Sequence, residues 1–241
     1  MSICYFYRMT SDTGFAPCVF EDNYELSELL TLACCKGGQI RKEKMVLTGL
    51  RHLIGERHRA DDGSCKDDVY VTGIMGNGVV YCAKINKIFK MTEYFSDEKY
   101  ANRMDQIYSV VESTSDVESI AGEGEDSKYA FVDRLKRNEK YPLFHGCESK
   151  YSSSEEMEKQ HLRDRLGEYV LLSSDFSYYG KDTIDIPDEI KGYIPKRQET
   201  KCWIDIDRID EYIHGMVKAS CHSRYPMNQL SDKSCSGCRA K

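Results

Sequence analysis

The sequence lacks any long apolar run, and no stretch approaches the ~20 apolar residues that are needed to cross a bilayer. The opening residues MSICYFYRMT also lack the basic and apolar regions of a signal peptide. We therefore predict a cytoplasmic protein that does not engage a membrane. Eleven cysteines are present, but disulfide scaffolds are typically short secreted chains, so most of the thiols are expected to be reduced.

An excess of positive charge is also missing. Lys and Arg number 34 against 40 Asp and Glu, which gives a formal net charge of −6. Proteins that coat nucleic acid rely on clustered cations, so this balance excludes bulk electrostatic binding and leaves room only for a local basic pocket. No internal repeat of about 20–50 residues is visible, which argues against solenoids and propellers.

Segments rich in β-branched and aromatic residues dominate the first half of the chain. They predict strands over Ile3–Met9, Met45–Gly49 and Asp68–Ile74, and one longer strand over Val79–Phe89. The Gly76–Gly78 turn should join the last two as a hairpin. Short connections between strands favour an α+β fold, with a small curled mixed sheet or partly closed β-barrel and flanking helices, over a doubly wound parallel sheet.

Apolar residues at helical spacing predict helices over Ser154–Leu166 and Ile206–Lys218, and Tyr169–Ser173 returns to strand. Leu26–Cys35 is interpreted as a short helix, although its second half, Thr31–Cys35, is also compatible with a strand.

Domain organisation is indicated by composition. The polar run over 113–128 is rich in Ser, Glu, Asp and Gly, which is typical of a mobile surface loop. We expect one domain over residues 1–218, followed by a loosely held tail over 219–241.

The loop Asp12–Pro17 (DTGFAP), followed by Thr31–Lys36 (TLACCK) and Ile40-Arg41, resembles the signature of the nucleotide modification associated domain 2 family. A departure is Gly37-Gly38, where the family usually has a proline, and this predicts a less rigid turn. Further agreement lies in Tyr81–Ile85, Tyr94-Phe95, Asp105–Tyr108, Leu172-Ser173, Phe176 and Tyr178–Gly180.

This resemblance implies an association with base modification in a phage or bacterial setting. The strand-rich half is also similar to PUA, ASCH and EVE-type barrels, which hold a nucleobase between a sheet and a loop, so a PUA-like barrel is expected. The implied partner is a nucleotide or modified nucleobase, free or within DNA, and no cofactor is expected. The expected ligand-binding residues are Asp12, Thr13, Gly14, Phe15, Lys36, Arg41, Tyr108, Ser173, Tyr178 and Tyr179.

The residues of the Asp12–Pro17 loop support such a role by themselves. Asp12 can cap a turn, Gly14 can adopt a left-handed conformation, and a loop of this kind presents backbone N–H groups at fixed angles. Phe15 could stack on a base. The alternative is a structural turn whose Phe15 is held in the core.

An enzyme is the main alternative to a recognition module. A thiol beside cations can have a lowered pKa, so Cys35 or Cys34 beside Lys36 is a candidate nucleophile toward a pyrimidine. His52, His58 and Asp12 are candidate acid–base groups. Against this, cysteines commonly pack as small buried hydrophobes. A third hypothesis is a structural or partner-binding component of a phage or defence operon.

Two further motifs are weaker. Cys221, His222, Cys235 and Cys238 are residue types that bind zinc, but a Cys-His dipeptide is a poor half-site, and we predict no metal site. The glycine-rich run Gly73–Gly78 lacks the lysine and the strand–helix context of a phosphate loop.

Overall fold

A computed structural model describes residues 2–9, 12, 14–21, 25–41, 44–111, 129–138, 153–196, 200–203 and 213. In chain order the strands are β1 (Ser2–Arg8), β2 (Cys18–Phe20), β3 (Leu26–Leu32), β4 (Gln39–Arg41), β5 (Lys44–Val46), β6 (Asp68–Met75), β7 (Gly78–Lys84), β8 (Lys87–Lys90), β9 (Tyr108–Val110), β10 (Leu135–Arg137), β11 (Tyr169–Ser173), β12 (Asp175–Tyr178), β13 (Ile184–Asp185) and β14 (Thr200–Trp203). The helices are α1 (Leu50–His58), α2 (Met91–Ser96), α3 (Ala130–Asp133), α4 (Ser154–Arg165) and α5 (Asp188–Lys191), with a 3₁₀ turn at Glu98–Tyr100.

Two larger sheets form the framework. The central sheet has the order β12-β7-β6-β1-β14, with β13 also paired to β7, and the second sheet has the order β2-β3-β11-β8. Only β1 and β6 run parallel among the described pairs, and the others are antiparallel. Short hairpins β4–β5 and β9–β10 lie outside these sheets.

The core lies on both faces of the central sheet, because successive side chains of a strand point to opposite sides. Tyr5 and Tyr7 of β1 pack with Leu30 and Leu32 of β3 in the main core, between the two sheets. Phe6, on the other face, packs in a second apolar cluster that includes Ile190 of α5, Ile194 and Ile213. The central sheet is thus covered on both sides.

The mixed α+β class is confirmed, as is the β6–β7 hairpin. In the part of the chain that the structure describes, the strands do not close into a barrel, so the PUA-like barrel stays a prediction. The helix at Ser154 is also confirmed, and Ser153 caps it by accepting a hydrogen bond from the amide of Glu156 at 3.2 Å.

The helix predicted over Leu26–Cys35 is wrong. Leu26–Leu32 is a strand, paired with β2 on one side and β11 on the other, so tertiary pairing overrides the local helical preference.

The single strand predicted over Val79–Phe89 is two strands. The break falls at Asn86, whose backbone amide donates to Leu172 and whose side chain accepts from the amide of Ser174 at 2.7 Å. The chain passes there from the central sheet to the second sheet.

Several predictions fall outside the described residues. These are the loop over 113–128, the tail over 219–241 with its zinc-type residues, and the predicted helix over 206–218, of which only Ile213 is described. The single-domain boundary therefore stays a prediction. No helix in the described ranges is long and apolar enough to span a membrane.

Candidate functional site

A row of buried tyrosines crosses the central sheet on the face toward the second sheet. Tyr178 of β12 lies opposite Tyr81 of β7, Tyr81 lies opposite Gly73 of β6, and Gly73 lies beside Tyr7 of β1. A β-carbon on Gly73 would come within 2.4 Å of the Tyr81 ring, so the glycine leaves the space in which Tyr7 and Tyr81 meet, hydroxyl to hydroxyl, at 2.9 Å. We call Tyr7, Tyr81 and Tyr178 the tyrosine row.

A buried carboxylate stands at one end of this row. Asp12 is 0% exposed, accepts a hydrogen bond from the Tyr178 hydroxyl at 2.6 Å, and accepts another from the backbone amide of Gly14 at 3.3 Å. Gly14 has a φ of 81°, a conformation that favours glycine. Burying a carboxylate is costly unless donors surround it, and the Asp12–Pro17 turn and the tyrosine row supply them.

The tyrosines are held in their protonated form. Burial raises the pKa of Tyr178 well above its usual range, and the charge of Asp12 adds to the effect. Burial also raises the pKa of Tyr7 and of Tyr81. At neutral pH the row therefore offers neutral hydroxyls that can donate to or accept from a polar partner.

The segment Cys34–Lys36 reaches the same place. The Cys34 thiol donates to the Phe15 carbonyl at 3.1 Å, which joins this segment to the Asp12–Pro17 loop. The Lys36 ammonium lies 4.7 Å from the centre of the Tyr7 ring, within the range of a cation–π interaction. Cys35 and Lys36 both have left-handed backbones, with φ of 57° and 52°, which costs roughly 1–3 kcal/mol per residue and must be offset by surrounding contacts.

Those contacts come from Arg51 of α1, which is 0% exposed. Its guanidinium donates to the carbonyl of Cys35 at 2.6 Å and to that of Tyr169 at 2.8 Å, and it pairs with the Asp164 carboxylate at 2.9 Å. Asp164 also accepts from the Tyr108 hydroxyl at 2.9 Å. Sequence reasoning missed Arg51 because α1 itself was not predicted.

The turn at Gly37-Gly38 makes close contacts with α4, and its expected lower rigidity stays a prediction. The amide of Gly38 donates to the carbonyl of Arg163 at 2.7 Å, near the end of α4. A β-carbon on Gly37 would lie 2.1 Å from that same oxygen. Gly37 thus allows an approach that no larger residue permits, and the Gly38 amide satisfies a carbonyl near a helix end.

A second buried network contains several residues of the family signature. Asp105 accepts from the hydroxyls of Thr31 at 2.5 Å and Tyr94 at 2.7 Å, and Arg103 donates to the Thr31 hydroxyl at 3.0 Å. This network joins β3 to α2 and the segment before β9. These hydrogen bonds connect separate elements and thereby stabilise the fold.

The remaining predicted ligand residues have varied surroundings. Phe15 is 6% exposed and packs in the main core, so its stacking role, still a prediction, would require the loop to open. Tyr179 packs in the second cluster, behind the central sheet.

Arg41 is exposed and donates to the side chain of Gln39 at 2.7 Å. Ser173 is buried, and its hydroxyl donates to the carbonyl of Asp175 at 2.9 Å. The Tyr108 hydroxyl donates to Asp164, the partner of Arg51. Thr13 lies outside the described residues.

The geometry gives little support to Cys34 as a nucleophile. Its hydrogen bond with Cys35, followed by burial, raises the pKa of the Cys34 thiol well above its usual range. Of the candidate bases, His58 bonds the Tyr5 hydroxyl and the Asp67 carboxylate, both at 2.8 Å. The His52 ring instead faces Glu168, at 3.2 Å.

Comparison with known proteins gives one match that spans nearly the whole chain. The family model described as nucleotide modification associated domain 2 matches residues 1–232. No curated protein and no solved structure matches the chain.

Proposed function

We propose that this chain, which belongs to the nucleotide modification associated domain 2 family, recognises a nucleotide or modified nucleobase at the tyrosine row. The observation that carries the proposal is the meeting of a buried carboxylate, Asp12, with buried phenol hydroxyls and the Lys36 ammonium at one place. The family name supplies the nucleotide context. The side chains supply the hydrogen-bonding groups that a base requires.

Base edges present amino donors next to carbonyl and ring-nitrogen acceptors. In the proposed complex, Asp12 accepts from an amino or imino group of the base. The tyrosine hydroxyls, which are kept protonated, donate to its acceptors. Asp12 and the tyrosine row are buried, so a base would enter as the Asp12–Pro17 loop opens, and it would then replace the bond from the Tyr178 hydroxyl to Asp12.

In the proposed complex a phosphate is met by the Lys36 ammonium beside the row, and a contact with Arg41 stays a prediction. Lys36 is half-buried over Tyr7, and Arg41 is exposed on the β4–β5 hairpin. A guanidinium suits a phosphate of a free nucleotide or of a DNA strand. The hydrogen bond from Arg51 to the Cys35 carbonyl holds the backbone next to Lys36 before a ligand binds, and such preorganisation favours binding. Catalysis by Cys35 and assembly into a phage or defence complex stay predictions.

The matched pair Tyr178→Phe and Tyr179→Phe tests the proposal. The two residues are neighbours in sequence, but Tyr178 donates to Asp12 whereas Tyr179 packs behind the sheet. Isothermal titration with ordinary and 5-substituted deoxynucleotides, and with a short single-stranded oligonucleotide, should show binding by the wild type. Tyr178→Phe should weaken it roughly 5–10-fold, about 1 kcal/mol, and Tyr179→Phe should leave it unchanged. Absence of binding to every probe, or equal losses in both variants, would refute the proposal.

A further inference from the structure

Three side chains outside the tyrosine row converge between α1 and the turn that precedes β11. They are His52 and Glu56, four residues apart and therefore on one face of α1, and Glu168. A donor atom from each lies within 4.8 Å of the other two. Glu168 has a left-handed backbone with a φ of 56°, which is uncommon for a residue other than glycine.

His52 adds an imidazole nitrogen to the two carboxylates of this group. Its Nδ1 atom is buried and forms no hydrogen bond with any residue that the structure describes, although it lies 3.2 Å from Oε2 of Glu168. A proton between the two atoms is therefore poorly aligned. A separation of this size is close to the ~3.3 Å between ligands of a tetrahedral ion bound at about 2.0–2.1 Å.

The surroundings hold the two carboxylates in place. The Tyr169 hydroxyl donates to Oε1 of Glu56 at 2.5 Å, and the Tyr169 ring lies 6.0 Å from the His52 ring. The Lys90 ammonium lies 3.8 Å from Oε1 of Glu168. Its side chain is 48% exposed, so it can turn toward solvent when a metal ion binds. Fixed outer groups of this kind orient the ligands of metal sites.

We propose that His52, Glu56 and Glu168 bind a divalent first-row transition metal ion, with Zn²⁺ as the representative. One nitrogen and two carboxylate ligands suit such an ion better than Mg²⁺ or Ca²⁺, which prefer oxygen alone. Three protein ligands leave at least one position open to water or another ligand. The ion would join α1, which carries Arg51, to the turn between α4 and β11.

The test must separate this site from the cysteine-rich tail. The full chain carrying Cys221→Ser, Cys235→Ser and Cys238→Ser would be freed of metal with a chelator and titrated with Zn²⁺ by calorimetry. One ion per chain is expected. Co²⁺ should give weak visible bands without the intense near-ultraviolet absorption of a thiolate complex.

Single substitutions in the same background locate the ion. His52→Phe keeps a ring against Tyr169 and removes both nitrogens, and Glu168→Gln keeps the side-chain shape. Each should weaken Zn²⁺ binding on the order of 100-fold or more, since a three-ligand site loses a ligand. The control Glu93→Gln, in a carboxylate paired with Arg59 at 3.0 Å, should change nothing. No bound ion in this background, or unchanged affinity in Glu168→Gln, would overturn the inference.

Discussion

The buried carboxylates Asp164 and Asp12 are satisfied by different kinds of partner. Asp164 forms an ion pair with the Arg51 guanidinium at 2.9 Å and accepts from Tyr108, all among residues that brace the Cys35–Gly38 turn. Asp12 accepts from a phenol and a backbone amide, both neutral donors. The Arg51–Asp164 ion pair belongs to the scaffold, because the same guanidinium holds the Cys35 carbonyl. Two donors to Asp12, the carboxylate that is proposed to meet a ligand, are neutral groups whose place a base could take.

The largest expected change in stability comes from removing the Arg51–Asp164 ion pair. Arg51→Met leaves the Asp164 charge buried without its guanidinium and removes the bonds to the Cys35 and Tyr169 carbonyls. The free energy of unfolding should fall by about 3–5 kcal/mol in urea titrations. As a control, Lys159→Met breaks only an exposed pair with Glu155 and should have little effect. A small loss in Arg51→Met would show that the ion pair does not brace the turn.

Gly37→Ala tests the close approach that the bracing depends on. The added methyl would lie 2.1 Å from the carbonyl oxygen of Arg163, so we expect a loss of about 1–3 kcal/mol in unfolding free energy. Gly192→Ala is the matched control, because a β-carbon there has no atom within 4 Å. Equal effects of the two substitutions would contradict the proposed tight contact with α4.

The buried Cys18 thiol of β2, beside the Arg103–Asp105 network, should give the protein a falling stability at alkaline pH. Burial, aided by the charge of Asp105, raises the pKa of Cys18 to about 12. The unfolded thiol titrates near ~8.5, so between these values the unfolded chain has lost a proton that the folded chain keeps. Stability is then complete below ~8.5 and falls by about 1.4 kcal/mol per pH unit toward 12. Cys18→Ala should reduce the slope of unfolding free energy against pH by that amount, and an unchanged slope would show that Cys18 does not titrate in this way.

Local patterns were sufficient for part of the fold. Segments rich in β-branched and aromatic residues predicted β1 and β6, the Gly-Asn-Gly turn predicted the hairpin, and the apolar spacing with a serine start predicted α4. The strand at Leu26–Leu32 could not be obtained in this way, because its partners β2 and β11 decide its conformation and β11 lies far along the chain. Local preference is a weak guide where pairing is long-range.

Of the candidate site, the loops and Tyr178 could be predicted from the sequence, but the contacts between strands could not. The Asp12–Pro17 and Cys34–Lys36 segments have turn-forming residues and a family resemblance, and the structure brings them into contact through Cys34 and Phe15. The Tyr7–Tyr81 contact depends on strand register across Gly73, which the sequence does not reveal. The same is true of Arg51 and Asp164, whose pairing spans 113 positions.

The central claim is that Asp12 meets a ligand while Asp164 holds the fold, and Asp12→Asn tests it most directly. Asparagine keeps an oxygen that can accept from Tyr178. It lacks the negative charge that would strengthen a hydrogen bond from the amino or imino group of a base. Calorimetric titration with the deoxynucleotide that the wild type binds best should show affinity reduced by about 10-fold or more, while the unfolding free energy changes by less than about 1 kcal/mol. Unchanged affinity in a folded Asp12→Asn variant would contradict the account.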